Sequence, residues 1–125
     1  MVLDASALLA YLLDEVGADE VERAITAQAA IGAVNLAEVL SKLADAGEDP
    51  DRAMDAITVL PFDVVPFDED LALESARLRP LTSSAGLSLG DRACLALGRR
   101  LGGHVLTADG AWVGLIPDLD IAAIR

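Results

Sequence analysis

Positive charge, cysteine and aromatic rings are all scarce in this chain. Nine Lys plus Arg face twenty-one Asp plus Glu, a formal net charge of -12 at pH 7, and Lys42 is the only lysine. Such a balance excludes a protein that holds nucleic acid or anionic membrane by a basic surface alone. A polyanionic substrate would need positive charge from another source. Cys94 is the single cysteine, so no intramolecular disulfide can form and a reducing compartment is expected. Aromatics are 3% of the residues, which removes most of the stacking platforms that hold single strands. No stretch of about 18 apolar residues exists to cross a bilayer. The apolar segment Val2 to Leu13 is broken by Asp4 and follows no basic segment, so it does not read as a signal peptide. The expected location is the cytoplasm, with no membrane partner.

What is present is a core. At 125 residues and 54% hydrophobic content the chain reads as one domain, residues 1–125, with enough apolar surface to fold alone. Short apolar runs alternate with helical patterns, the signature of an α/β protein with a mostly parallel sheet. Strands are expected at Met1 to Leu3, Ala30 to Val34, Phe62 to Pro66, His104 to Leu106 and Leu119 to Ile124. Pro61 and Pro66 mark the third as an edge strand. Helices are expected at Ala5 to Leu13, Ala18 to Ala29, Leu36 to Ala46, Pro50 to Thr58, Asp68 to Leu78 and Ser88 to Leu101. In the third of them, Leu36, Val39, Leu40 and Leu43 recur at the helical period. Arg79 to Gly86 reads as a mobile loop, and Asp109 to Leu115 as a turn or short helix.

Four acids stand where a strand hands over to a helix or where a helix begins: Asp4, Glu38, Asp91 and Asp109. Each has an ordinary explanation. Asp4 can cap the first helix. Asn35-Leu-Ala-Glu38 and Ser88-Leu-Gly-Asp91 have capping-box spacing, Glu38 stands four residues before Lys42 as in a surface ion pair, and Asp109-Gly110 is a common turn. Their coincidence carries the functional reading, because ligands of open α/β sheets collect beyond the carboxyl ends of the strands. Two unit charges about 5 Å apart repel by roughly 3 kcal/mol at an effective dielectric near 20. Converging acids therefore call for a divalent cation, and an all-oxygen set selects Mg2+ or Mn2+ over zinc. The chemistry that follows is hydrolysis of a phosphodiester by a metal-activated water. Ser6, Asn35 and Thr107 lie beside these acids and are suited to orienting them.

Val-Leu-Asp4-Ala-Ser6-Ala, Asn35-Leu-Ala-Glu38, Leu89-Gly-Asp91-Arg-Ala-Cys94-Leu-Ala and Val-Leu-Thr107-Ala-Asp109-Gly-Ala-Trp112 together resemble the PIN-domain ribonucleases, specifically VapC toxins of type II toxin-antitoxin modules. The resemblance runs along the whole chain, with the motifs in order. It implies a three-layer sandwich with a central, mostly parallel sheet flanked by helices. It further implies a Mg2+- or Mn2+-dependent endoribonuclease acting as a toxin, with Asp4, Glu38, Asp91 and Asp109 as catalytic metal ligands. Implied partners are an RNA substrate, often transfer RNA, a VapB-type antitoxin and a second copy in a homodimer. Similar proteins often carry basic residues where this chain has Gly110 and Gly114. Arg77, Arg79, Arg92, Arg99 and Arg100 remain as candidate RNA contacts, Arg92, Arg99 and Arg100 foremost.

The alternative is a catalytically weak or inactive interaction domain of the same fold, whose acids survive as caps. A dehalogenase-type phosphatase needs a second aspartate where Ser6 stands, and a phosphoryl receiver needs a lysine in a later element than Lys42 occupies. A thiol nucleophile built from Cys94 and His104 lacks a group to orient the histidine.

Overall fold

A computed structural model describes all 125 residues. Its strands are β1 (Val2–Leu3), β2 (Ala30–Gly32), β3 (Asp63–Val65), β4 (His104–Thr107) and β5 (Asp120–Ala123). They form one sheet in the order β3-β2-β1-β4-β5, and every pairing is parallel. The helices are α1 (Ala5–Leu12), α2 (Ala18–Thr26), α3 (Ala33–Asp45), α4 (Pro50–Thr58), α5 (Glu69–Arg77), α6 (Arg79–Thr82) and α7 (Leu89–Arg100).

β1 explains the layering. Successive side chains of a strand point to opposite faces, and both faces of β1 are buried. Leu3 joins a core filled by α1 to α4, with Leu8, Val21, Val39 and Ile57. Val2 joins the opposite core, filled from α5 and α7 by Leu71, Cys94, Leu95 and Leu97, with Trp112 and Ile116 beyond β4. In β4 the same alternation sends Leu106 to the first core and Val105 to the second. Helices on both faces leave no wet side, which is why these strands read as uninterrupted apolar runs. α7 lies close to the sheet at Gly98, where an added Cβ would overlap the Val105 side chain.

The chain builds β1, β2 and β3 outward in one direction, then returns to place β4 on the other side of β1. The order reverses between β1 and β4, so their carboxyl ends flank the crevice where open α/β sheets bind ligands. Asp4 follows β1 directly and Thr107 ends β4.

The expected α/β class and sandwich are observed, the sheet is wholly parallel, and β3 is the edge strand that its prolines indicated. Two expectations are corrected. Arg79 to Gly86 is not a loop but the short helix α6 followed by a 3-10 turn at Ser83–Ala85. Pro80 occupies a first-turn position where its missing N-H costs nothing, and Thr82 is buried with its Oγ1 donating to the Leu78 carbonyl at 2.9 Å. The second strand stops at Gly32, and Ala33 and Val34 already belong to α3. Asn35 is therefore inside the first turn of α3 and not its N-cap, which is Gly32.

Candidate active site

Three of the four acids face one cavity of about 290 Å3 at the carboxyl edge of the sheet: Asp4 from the end of β1, Glu38 from α3 and Asp91 from the first turn of α7. Asp4 has the extended backbone of an N-cap residue, yet its side chain makes no capping bond. Its Oδ2 instead accepts from Ser6 Oγ at 2.6 Å and Thr107 Oγ1 at 3.1 Å. Asp4 is 5% exposed. Burial pushes its carboxyl above the ordinary aspartate range; the hydroxyls of Ser6 and Thr107 pull it partly back, and the charge of Asp91 pushes it up again.

Glu38 is held by Asn35, which is fully buried. Asn35 Nδ2 donates to Glu38 Oε1 at 2.7 Å and to the Gly90 carbonyl at 2.9 Å, so one amide ties α3 to the start of α7. The Asn-x-x-Glu spacing marks a real hydrogen bond, made between side chains and not as a helix cap. Desolvation raises the Glu38 carboxyl, Asn35 lowers it, Asp4 and Asp91 raise it further, and Lys42 lowers it through space. Asp91 completes the capping box that its sequence spells, Oδ2 accepting from Ser88 N at 2.9 Å and Asp91 N donating to Ser88 Oγ at 3.2 Å. Cys94 lies behind all three: burial raises its thiol well above the usual range, and Asp4, Asp91 and Glu38 raise it in that order. With His104 exposed at the other end of β4 against Asp120, no thiol-imidazole pair exists.

Asp109 does not line the cavity. Its Oδ1 accepts from Ala111 N at 3.0 Å and caps the 3-10 turn Gly110–Trp112. Thr107 connects it to the others, because Thr107 Oγ1 takes the Asp109 N-H at 3.1 Å while donating to Asp4. Ser6 and Thr107 thus stand against Asp4, and Asn35 against Glu38.

The donor set suits a hard cation. Asp4, Glu38 and Asp91 all offer oxygen, and their Oδ1, Oε2 and Oδ1 atoms receive no side-chain hydrogen bond; Glu15, which the sequence did not single out, is a fourth acid lining the cavity. No three His, Cys, Asp or Glu groups stand close enough to hold an ion as placed.

The arginines expected at the substrate do not line this cavity. Arg92 Nη1 donates to the Ser75 carbonyl of α5 at 3.0 Å. Arg99 is clamped between Glu74 at 2.7 Å and Asp118 at 2.8 Å, and Arg100 pairs with Asp68 at 2.8 Å. Successive helical residues are 100° apart, so Arg92 leaves the face that Asp91 occupies, and Arg99 and Arg100 lie about 12 Å farther along the axis. Gly114 has φ 76°, a backbone that disfavours any side chain, whereas Gly110 stands in open space.

Two features went unseen in the sequence. A Cβ at Gly90 would lie 2.7 Å from the Glu38 carboxylate, so this glycine makes room for the acid. A glycine in the first turn of a helix, next to the motif aspartate Asp91, was the available signal. The basic residues of the cavity are Lys42 and Arg125, and neither was expected to meet a substrate.

The PIN domain family model matches residues 1–113. Among solved structures, a toxin-antitoxin complex from Klebsiella pneumoniae aligns at TM-score 0.73 and 21% identity, over 99% of this chain and 97% of that one. VapBC2 from Rickettsia felis, bound to a fragment of promoter DNA, aligns at 0.76 and 14%, over 98% and 96%. DNA-bound VapBC from Salmonella typhimurium aligns at 0.70 and 16%, over 99% and 97%. Among curated proteins none matches the sequence.

Proposed function

Because the chain belongs to the PIN domain family, we propose that it is a metal-dependent endoribonuclease, the toxin of a toxin-antitoxin pair. The observation that carries the reading is the convergence of Asp4, Glu38 and Asp91 on one cavity at the topological switch of the sheet. These residues would hold Mg2+ or Mn2+, with Asp109 the fourth acid of the set, tied in through Thr107. When bound, the ion supplies Lewis-acid chemistry, making water a better nucleophile and offsetting charge on the phosphoryl oxygens.

The chain's own groups set the stage for that step. Ser6 and Thr107 both donate to Asp4 Oδ2, fixing the carboxylate plane and leaving Oδ1 for the ligand. Asn35 fixes Glu38 in the same way through Oε1. Water adds to the phosphorus, the bond to the 3' oxygen breaks, and the products carry a 5'-phosphate and a 3'-hydroxyl. The similar solved structures are toxin-antitoxin complexes, which supports a VapB-type antitoxin as partner. Structured RNA such as transfer RNA is the proposed substrate, the cytoplasm the proposed location and a homodimer the proposed assembly. No helix is long and apolar enough to cross a membrane.

Purified protein incubated with total transfer RNA and Mn2+ tests the reading. Loss of groups that merely orient a metal ligand costs about 10- to 100-fold, so Asp4→Asn and Asp91→Asn should each lower cleavage by more than about 100-fold. Both variants should fold, since an Asn oxygen can still accept the hydrogen bonds that Oδ2 accepts now. Wild-type cleavage by Asp4→Asn would overturn the assignment.

A further inference from the structure

The cavity that gathers Asp4, Glu38 and Asp91 also gathers Lys42 and Arg125, two of the nine basic residues of the chain. We propose that these two side chains, and not the arginines of α7, hold the phosphate backbone of the substrate. The inference rests on the ribonuclease reading and names the residues by which this chain meets RNA.

Charge makes the case first. The side chains lining the cavity include four carboxylates, those of Asp4, Glu15, Glu38 and Asp91, against two cations, a formal side-chain net of two negative charges. One divalent ion brings that sum to zero. Lys42 and Arg125 then become the positive ends of a neutral site within a protein of net charge -12, and a phosphate is attracted to them where it is repelled by most of the surface. Remove either and the loaded cavity turns negative again.

Position makes it next. Lys42 lies one turn beyond Glu38 on the same face of α3, a rise of about 6 Å. It therefore addresses a phosphate next to the one at the carboxylates. Its side chain is exposed, and it acts on Glu38 through space. Arg125 is 42% exposed and touches Glu15 through one long contact, Nη1 to Oε1 at 3.7 Å. Exposed pairs of that kind contribute little, and a phosphate offers the guanidinium two parallel hydrogen bonds instead. By contrast Arg99 makes three close contacts to Glu74 and Asp118, and Arg100 makes two to Asp68. Those arginines would have to give up short ion pairs to reach RNA.

The experiment measures binding and turnover separately. Fluorescein-labelled transfer RNA is titrated with wild type, Lys42→Gln, Arg125→Gln and Lys42→Arg in calcium chloride, across about 50 to 200 mM salt. Arg23→Gln on the outer surface of α2 serves as control. Each Gln variant should weaken binding about five- to tenfold and flatten the logarithmic salt dependence by about 0.7. Lys42→Arg and Arg23→Gln should keep wild-type slopes. In Mn2+ the Gln variants should raise KM with kcat within about twofold, the signature of lost uniform binding. Wild-type salt slopes in both Gln variants, or a loss confined to kcat, would overturn the proposal. If wild type cleaves RNA and Asp91→Asn does not while the Gln variants behave as wild type, the proposal alone falls. If wild type neither binds nor cleaves RNA, the ribonuclease reading falls and this falls with it.

Discussion

At Gly90 the missing side chain is a condition of the site. The atoms that a Cβ would meet are Cδ, Oε1 and Oε2 of Glu38, the far end of a flexible side chain, and all three lie at 2.7 Å. The fold can absorb such a clash by swinging Glu38 aside, and the site cannot. Glycine inside a helix costs roughly 0.5–1 kcal/mol relative to alanine. Gly90→Ala should therefore raise stability by up to about 1 kcal/mol while lowering RNA cleavage at least tenfold. Thermal melts and turnover on the same preparation check both signs, and a variant that is less stable yet fully active would refute the role. The sequence could not supply this role, because the carboxylate that fills the space comes from α3, far off along the chain. Asn35 teaches the complementary lesson. Its spacing to Glu38 was legible as a hydrogen bond, but a capping box and a buried side-chain brace share that spacing, and only burial and the Gly90 carbonyl separate them.

Between elements, the arginines assigned by sequence to a substrate fasten α5 to α7. Arg100, at the end of α7, takes both oxygens of Asp68, the N-cap of α5, and Arg99 reaches Glu74 in the middle of α5. Helical phase was legible, since Arg92 and Arg99 stand two turns apart on one stripe. That α5 would cover the stripe was not, because no local pattern says which helix packs on which. The misread loop at Arg79 to Gly86 failed similarly: its polar and proline signals are real, but packing buries Thr82 and imposes helical turns. Strand and helix positions set by apolar period were otherwise readable, because that period is a local property. The α5–α7 fastening has a pH signature. Arg100 holds Asp68 down at about 2, chiefly by hydrogen bonding. A carboxylate depressed in the folded state stabilises fully above its ordinary pKa, near 4, and that contribution fades as pH falls through the folded value. Glu74 is lowered by Arg99 in the same sense. Melting temperature should thus fall as pH drops from about 4 to about 2, and Asp68→Asn should flatten the slope in that window. An unchanged slope would mean that the pair does not couple to folding.

For the whole molecule, a net charge of -12 leaves a polyanionic substrate in need of positive charge from another source, and the fold gathers several of the acids at one place. Asp4 is a nearly buried carboxylate whose charged form is disfavoured first by burial and then by Asp91. Neutralising it should stabilise a metal-free protein by roughly 1 kcal/mol, an ordinary size for a single substitution. For a chain of this length that is a gain of about 3–5 °C in Tm. Binding of a cation acts oppositely on the comparison. At about one hundred times its dissociation constant an ion stabilises the protein it binds by about 2.7 kcal/mol, close to 10 °C, and Asp4→Asn forfeits most of it. The two melting temperatures should therefore cross: the variant melts higher in chelator, and wild type melts higher in saturating Mn2+. Sodium chloride at matched ionic strength should raise both together, since it only screens the overall repulsion. Acids that served merely as helix caps would give parallel curves in every buffer. Melts of the two proteins with chelator, with Mn2+ and with matched salt decide the matter, and curves that never cross would remove the cation from the account of this cavity.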